Sequence, residues 1–273
     1  MKTFAARRWL AGLLTASAAA AVTIACISLY PSLRDAAYFS GWTLLGICVF
    51  LAAYNVRKKF PYPPFLSSVV WLQLHVWVGA ISLLVFVLHV DVAWPRGPFE
   101  ITLGVLFLLV VGTGFLGMFL TRTLPPRMAS RGEEMIFERI PVFRRQLLTQ
   151  ASDLVVQIVE ETDATMLMDF YARRLDAFFA GPRNLFLHIC QATGPRERLL
   201  DELHTLDRSF NERERAGADT LRGLIYTKDG LDYQVAMQGL LKGWLFVHVP
   251  LTYVMLVLLV VHVVITHTFV GES

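Results

Sequence analysis

The sequence predicts an all-α integral membrane protein, a bundle of about five transmembrane helices with a helical cytoplasmic insert. Three observations support this prediction. The composition is 55% hydrophobic and 17% charged with a mean hydropathy of +0.51, which is more apolar than an ordinary soluble domain. Several apolar stretches are long enough to cross a bilayer. The polar segment between the last two has the residue spacing of amphipathic helices.

Five apolar stretches reach about 20 residues, the length that a helix rising about 1.5 Å per residue needs to cross the hydrocarbon core. The first also has features of a signal peptide, because cations precede it and alanines dominate positions 16 to 21. Its apolar run is longer than a usual signal-peptide core, which favours a membrane span. The second stretch is the shortest. The stretches are Trp9 to Tyr30, Ala36 to Tyr54, Ser67 to Val90, Ile101 to Leu120 and Leu245 to Phe269.

The cations in the short connections predict the orientation, because positively charged loops stay on the cytoplasmic side. Clusters of Lys and Arg precede the first stretch and follow the second and fourth, whereas the loops after the first and third carry one Arg each. We therefore expect a multi-pass protein of a bacterial-type inner membrane, with its N-terminus inside and its C-terminus outside. The clusters are Lys2, Arg7 and Arg8; Arg57, Lys58 and Lys59; and Arg122, Arg127 and Arg131.

This topology divides the chain into residues 1–121 with four membrane helices, a cytoplasmic insert at 122–242, and residues 243–273 with the fifth helix and a short outer tail. Apolar residues recur in the insert at three- and four-residue spacing, which predicts amphipathic helices. A segment of about 120 residues is compatible with a small subdomain, and equally with burial against the membrane helices or a partner. Helix breaks are expected at Pro125-Pro126, Gly181-Pro182, Gly194-Pro195 and Lys228-Asp229-Gly230.

Several classes of site are disfavoured. Cys26, Cys48 and Cys190 form no CxxC or CxxCH, which argues against an iron–sulfur cluster, a c-type haem attachment or a disulfide framework and favours apolar packing. Residues 112–117, GTGFLG, match the GxGxxG pattern of dinucleotide sites but lie inside a membrane span without a βαβ unit. Small residues there predict close approach of another helix or of a flat cofactor. Basic and aromatic residues are not interleaved, so we expect no nucleic-acid partner.

Two spans share a pattern of histidines. Residues 71–90, WLQLHVWVGAISLLVFVLHV, align with residues 244–263, WLFVHVPLTYVMLVLLVVHV, with eight identities. The alignment matches His75 with His248 and His89 with His262. Fourteen helical residues turn through about 1400°, about 40° short of four turns, so both histidines of a span project to nearly one face, about 21 Å apart. Because both spans run outward, His75 and His248 match in depth near the cytoplasm, and His89 and His262 match near the exterior.

Two facing imidazoles at one depth suit axial ligation of a haem iron inside a hydrophobic bundle. Two such pairs predict two stacked haems and an electron path across the bilayer. A single membrane histidine can equally be a hydrogen-bonded interior residue, and zinc is disfavoured because each depth offers only two ligands. His267 is a fallback ligand, whereas ordinary surface or core roles are favoured for His188 and His204.

Three residues follow a histidine by four positions and therefore lie on the same helix face. Gly79 would admit the edge of a macrocycle, and Thr252 and Thr266 are within possible hydrogen-bonding range of the histidines. Pro250 is expected to bend the fifth span, since it lacks a backbone donor.

These spans resemble the dihaem b-type cytochromes of respiratory chains. The likeness rests on HVWVGAISLLVFVLH, HVPLTYVMLVLLVVH and the glycine-bearing span between them, and it covers residues 67–120 and 243–269 but not the insert. It implies that His75 with His248 and His89 with His262 bind two haems b. It also implies electron transfer between a quinone pool and a redox partner such as a c-type cytochrome or an iron–sulfur subunit. The chain has no PEWY-like quinol signature and no flavin or nicotinamide module, which leaves quinone use open.

We therefore expect a transmembrane electron-transfer subunit of an oxidoreductase complex, without a substrate-converting site of its own, because no acid–base constellation is present. The alternative is a haem-free membrane scaffold whose cytoplasmic insert binds a partner, with the histidines in interhelical hydrogen bonds. A metal transporter would require carboxylates within the spans, and the spans do not contain a suitable set.

Overall fold

The computed structural model describes residues 17, 20–21, 24, 28, 33–59, 68–91, 93, 95–130, 135–163 and 165–269. These residues form helices and their connections and include no β-strand, which confirms the all-α prediction for the described part of the chain. The α-helices are α1 (Leu33–Lys59), α2 (Ser68–His89), α3 (Pro98–Ala129), α4 (Ile140–Thr162), α5 (Met166–Phe170), α6 (Asp176–Ala180), α7 (Leu185–Ile189), α8 (Gly194–Leu206) and α9 (Glu212–Phe269). A π-helical turn (Tyr171–Leu175) joins α5 to α6, and short 3-10 turns precede α4 and α9.

Four of the described helices, α1, α2, α3 and α9, are long and apolar enough to cross a membrane. They contain the second to fifth apolar stretches of the sequence, and α1, expected to be the shortest span, is a helix of 27 residues. The expected first span, Trp9 to Tyr30, lies outside the described residues apart from five isolated positions. The protein therefore has the helices of a membrane protein, four of them within the described ranges.

The chain forms two compact units, one of residues 1–119 with 244–273 and the other of residues 120–243. We call them the membrane unit and the polar unit. The membrane unit has a small buried core made of Leu44, Cys48, Val85, Phe86, Phe107 and Met255. Large apolar side chains also cover its surface: Phe246 is 81% exposed, Val257 64% and Val260 60%. Water would oppose such a surface, whereas lipid accommodates it.

The polar unit has a hydrophobic core of its own. On α4 the buried residues recur every three, four or seven positions, as an amphipathic helix requires. They face buried residues of α5, α6 and the first half of α9. The α4 residues are Ile140, Leu147, Ala151, Val155 and Ile158, and they contact a cluster that includes Leu167, Phe170, Leu175, Phe179, Leu203, Leu221 and Ile225.

The start of α9 is set by a reciprocal cap. The side chain of Asn211 accepts the backbone N–H of Glu214 at 2.7 Å, and the Glu214 carboxylate accepts the backbone N–H of Asn211 at 3.2 Å. Such a capping box satisfies donors that have no partner within the helix. Glu214 also accepts the backbone N–H of Leu167 at 3.4 Å, which joins α9 to α5.

Two of the four expected helix breaks agree with the structure. Helix α6 ends immediately before Gly181, and Pro195 lies in the first turn of α8, where a missing backbone donor costs nothing. The break expected at Pro125-Pro126 was wrong, because α3 continues to Ala129. Leu124 and Met128, on either side of the prolines, are 4% and 2% exposed. We infer that their burial offsets the loss of two backbone hydrogen bonds near the helix end.

The break expected at Lys228-Asp229-Gly230 was also wrong, because α9 passes through these residues. The Lys228 ammonium is fully buried, pairs with Asp232 one turn later and donates to the carbonyl of Gly181 at 2.8 Å. Asp229 accepts from Arg196 at 3.2 Å. Lys228 and Asp229 look like part of a turn in the sequence because they are polar, but the first has a partner in the segment after α6 and the second has one on α8. Tertiary pairing therefore maintains the helix against its local preference.

The cysteines differ in their surroundings. Cys48 is buried, as the expectation of apolar packing requires, whereas Cys190 is exposed, so that expectation was wrong for Cys190. Cys190 directly follows the five-residue helix α7, which is too short to bury a residue on each of its faces. Cys26 lies outside the described residues.

Lys228→Met should lower the free energy of unfolding by about 3–5 kcal/mol, because it leaves Asp232 buried without a countercharge. The free energy is measured by urea unfolding of the full chain in mild detergent, followed by circular dichroism. Lys242→Met is the matched control, since Lys242 lies on the same helix as Lys228 but its pair with Glu138 is more than half exposed on both sides. Removing both charges with Lys228→Met and Asp232→Leu should recover most of the loss. Equal effects of the two lysine variants would contradict the burial argument.

Candidate functional site

The four histidines that the 14-residue spacing pairs lie in the membrane unit and fall into two groups. His89 and His262 line one cavity, and His75 and His248 line a second. We call these the His89 site and the His75 site. Because α2 carries the first histidine of each pair and α9 the second, this grouping requires the two helices to run in the same direction. The structure thus brings together the residues that the 14-residue spacing pairs.

The imidazoles of the His89 site lie with their ring centroids 6.4 Å apart and their planes perpendicular to each other. An imidazole nitrogen binds a transition metal at about 2 Å, and the ring centre lies about 1 Å behind the nitrogen. Two imidazoles on opposite sides of one metal ion therefore have centroids about 6 Å apart. The separation of His89 and His262 matches this value.

A cavity of about 500 Å³ adjoins this pair. Its volume falls within the range of about 300–1,000 Å³ that is usual for sites of organic ligands. Most of the wall is apolar and comes from α1, α2, α3 and α9. His267 lies in the wall as well, where its ring contacts Tyr38 and Trp42 at centroid distances of 5.7 and 5.6 Å. The cavity is therefore suited to a large and mostly apolar ligand that meets two imidazoles.

Residues of α1 contact the His89 ring. The Ser40 hydroxyl lies 3.2 Å from Nδ1 of His89. A Cβ atom on the adjacent Gly41 would lie only 3.0 Å from Cε1 of His89, which is closer than side chains normally pack. Glycine at this position therefore leaves the space that the imidazole occupies. On the other side of the site, Phe99 stacks on His262 with a centroid distance of 6.3 Å.

The His75 site has the same donors but less space. Its cavity is about 90 Å³, below the usual size of a site for an organic ligand. Tyr54 packs against His75 at 5.2 Å, and Trp244 stacks on His248 at 5.6 Å. The wall includes Gly79 and Gly114, and a Cβ at Gly79 would meet no atom within 4 Å. Two imidazoles and small wall residues fit a haem iron, but a whole porphyrin needs the surrounding helices to separate further.

The glycine-bearing run in α3 contacts α9. Thr113 Oγ1 lies 2.8 Å from Nδ1 of His248, and the Trp244 indole N–H donates to the Thr113 carbonyl at 2.7 Å. A Cβ on Gly117 would lie 1.9 Å from the Trp244 ring, so only glycine allows this packing. The small residues expected to admit a helix or a flat cofactor therefore admit the aromatic residues of α9.

The two cavities are neighbours. Cys48, Phe107 and Met255 line both of them and are each at most 6% exposed. Phe107 is also stacked on Phe86 with a centroid distance of 4.5 Å. A thin buried layer of three side chains, one from each of α1, α3 and α9, thus lies between the His89 site and the His75 site.

Other residues singled out in the sequence have more local roles. The hydroxyls of Thr252 and Thr266 donate to the backbone carbonyls of His248 and His262, each at 2.8 Å, rather than to an imidazole. Helix α9 continues through Pro250. His188 is buried in the polar unit with Nε2 3.7 Å from Asp229, and His204 is exposed. No group of three or more His, Cys, Asp and Glu side chains suited to a metal occurs within the described ranges.

Three residues next to the site histidines were not predicted as site residues from the sequence. They are Ser40 and Gly41 of α1 and Thr113 of α3. The only signal in the sequence is a hydroxyl residue followed by glycine in an apolar span, at 40–41 and at 113–114. That pattern is common in membrane helices, where small residues line helix contacts. Their partners are remote along the chain, so only the folded arrangement identifies them.

Gly117→Ala should destabilise the membrane unit by about 1–3 kcal/mol, because the added methyl group displaces the Trp244 ring. The comparison is the thermal midpoint of the full chain in detergent, followed by circular dichroism. Gly112→Ala is the matched control on α3, since a Cβ there meets no atom within 4 Å. In a Trp244→Ala background the effect of Gly117→Ala should largely disappear. A Gly117→Ala variant as stable as Gly112→Ala would refute the packing described here.

No protein-family model, curated protein or solved structure matches this chain. The geometry of the two histidine sites is therefore the basis on which a function can be assigned.

Proposed function

We propose that this protein is the electron-carrying subunit of a membrane oxidoreductase and binds two b-type haems through paired histidines. The observation with most weight is the His89 site, where two imidazoles from different apolar helices lie with their ring centroids 6.4 Å apart beside a cavity of about 500 Å³. Haem iron with two histidine ligands supplies one-electron redox chemistry and leaves no open position for a substrate. Such a subunit transfers electrons and converts no substrate of its own.

In this proposal His89 and His262 are the axial ligands of one haem. The apolar wall around them buries the macrocycle and excludes water, which tunes the potential of a bound iron. Phe99 and the Ser40 hydroxyl limit the rotation of the two rings.

His75 and His248 are the proposed ligands of the second haem. The support is the shared 14-residue spacing, the grouping of these two residues at one cavity, and the glycines in its wall. The smaller cavity means that α2, α3 and α9 would move apart on binding. Cys48, Phe107 and Met255 would then lie between the two cofactors, and their layer is thin enough for electrons to cross without an aqueous path.

The charge distribution supports an orientation with the polar unit and the His75 site toward the cytoplasm and the His89 site toward the outside. Electrons would then pass between a quinone or a cytoplasmic partner on one side and an outer redox protein on the other. A c-type cytochrome or an iron–sulfur subunit is the class of outer partner that fits. The setting is a bacterial-type inner membrane, with respiratory electron transport as the process.

Haem content tests the proposal directly. The full chain purified from membranes in mild detergent should give a b-type pyridine haemochrome spectrum and two haems per chain. His262→Ala and His75→Ala should each remove or perturb one haem, because each deletes one axial ligand. His204→Ala, at an exposed histidine of the polar unit, is the control and should keep both.

The outcomes separate the alternatives. One haem per chain, lost in His262→Ala and kept in His75→Ala, would restrict the proposal to the His89 site. A folded protein purified without any haem, from cells that load other b-type cytochromes, would exclude the proposal. That result would favour a haem-free membrane scaffold whose polar unit binds a partner.

A further inference from the structure

Each histidine pair has one member whose Nδ1 contacts a hydroxyl group of a neighbouring helix. Ser40 of α1 lies 3.2 Å from Nδ1 of His89 on α2, and Thr113 of α3 lies 2.8 Å from Nδ1 of His248 on α9. The two contacts therefore involve four different helices. They occur at both sites, although the sites differ in size and in the aromatic residues around them.

The other hydrogen bonds of these hydroxyls decide which partner donates. The Ser40 hydroxyl donates to the carbonyl of Ala37 at 3.1 Å. The Thr113 hydroxyl lies 2.9 Å from the carbonyls of Leu109 and Val110, both of which can only accept. A hydroxyl has one hydrogen, so toward the imidazole each oxygen acts as an acceptor. In that arrangement the proton of the His89 and His248 rings lies on Nδ1.

This protonation leaves Nε2 of both rings with a lone pair. In a neutral imidazole one nitrogen donates and the other accepts, and the partner of the first determines which is free to bind a metal. Ligating histidines commonly donate their second ring N–H in this way, which orients the ring and raises its basicity. The hydroxyls of Ser40 and Thr113 are positioned to accept such an N–H.

The glycine after each hydroxyl gives the ring its space. A Cβ at Gly41 would approach Cε1 of His89 to 3.0 Å, and one at Gly114 would approach Cε1 of His248 to 3.7 Å. The first approach is tighter than most side-chain contacts, so a side chain at position 41 would displace the His89 ring slightly, and the second is a normal contact. Glycine is thus favoured by packing at position 41 and only permitted at position 114.

We propose that Ser40 and Thr113 are positioning residues that hold His89 and His248 in the tautomer with Nε2 free and thereby set the potential of the iron at each site. This inference rests on the proposed function and assigns a role to α1 and α3 within it. A hydrogen bond from Nδ1–H makes the imidazole a stronger donor to iron, which favours the oxidised state. Loss of either hydroxyl therefore raises the potential of the haem at that site alone.

The test is a spectroscopic redox titration of purified Ser40→Ala and Thr113→Val, with low-spin EPR signals recorded beside it. Ser40→Ala should raise the potential of one haem and Thr113→Val that of the other. His262→Ala, which lacks the haem of the His89 site, identifies which potential belongs to which site. The matched controls are Thr43→Val on α1 and Thr102→Val on α3, whose hydroxyls bond only to backbone carbonyls of their own helices.

Thr113→Ser keeps the hydroxyl and should keep the wild-type potential, even if Thr113→Val fails to retain haem. Haem bound with unchanged potentials in both Ser40→Ala and Thr113→Val would overturn the inference and leave the proposed function standing. A changed potential in Thr113→Ser equal to that in Thr113→Val would also overturn it for the His75 site.

A second measurement does not depend on bound haem. Nitrogen-15 spectra of histidine-labelled protein in its haem-free form report the tautomer of each ring. Wild-type His89 should be protonated on Nδ1, and Ser40→Ala should shift it toward a mixture of tautomers, whereas Thr43→Val should not. Mixed tautomers of His89 in the wild type would overturn the inference, while a wild type that never binds haem would exclude the proposed function instead.

Discussion

An imidazole inside a lipid-facing bundle needs partners for both of its ring nitrogens, because hydrocarbon offers none. Helices α2 and α9 together carry five such rings, and for two of them, His89 and His248, a hydroxyl group of a neighbouring helix lies within hydrogen-bonding distance of Nδ1. At the His89 site, Nδ1 of His89 lies 3.2 Å from the Ser40 hydroxyl. The ring centroids of His89 and His262 are 6.4 Å apart, which is close to the distance expected for two imidazoles that bind one metal ion. The bundle therefore brings two imidazoles of different helices close together beside an apolar cavity.

Close packing of helices requires small residues at the contacts. Two glycines illustrate this. Gly41 leaves space for the imidazole of His89, and Gly117 leaves space for the indole of Trp244. The Trp244 indole N–H then donates to the Thr113 carbonyl and the ring stacks on His248, so the absence of a side chain at Gly117 allows the aromatic contact of a candidate ligand. In lipid, where apolar surface gives no preference between neighbours, such contacts decide which helices pair.

The polar unit follows different rules because its core excludes water by burying apolar side chains. Its helices have amphipathic stripes, and these assemble around α4 and the first half of α9. Charged residues within that core are tolerated only with partners, as Lys228 is with Asp232 and with the Gly181 carbonyl. The same pairing joins the connection between α6 and α8 to α9.

The sequence by itself determined the helical class, the presence of apolar stretches long enough for membrane helices and the matched spacing of the histidines, because hydropathy and helical periodicity are properties of consecutive residues. Four of the five predicted spans correspond to helices within the described residues. Only the tertiary structure decided which side chains meet those histidines. Ser40 is 49 residues from His89, and Thr113 is 135 residues from His248, so no local pattern could pair them. Lys228-Asp229-Gly230 is helical for the same reason: its polar groups have partners that only the folded chain brings within reach.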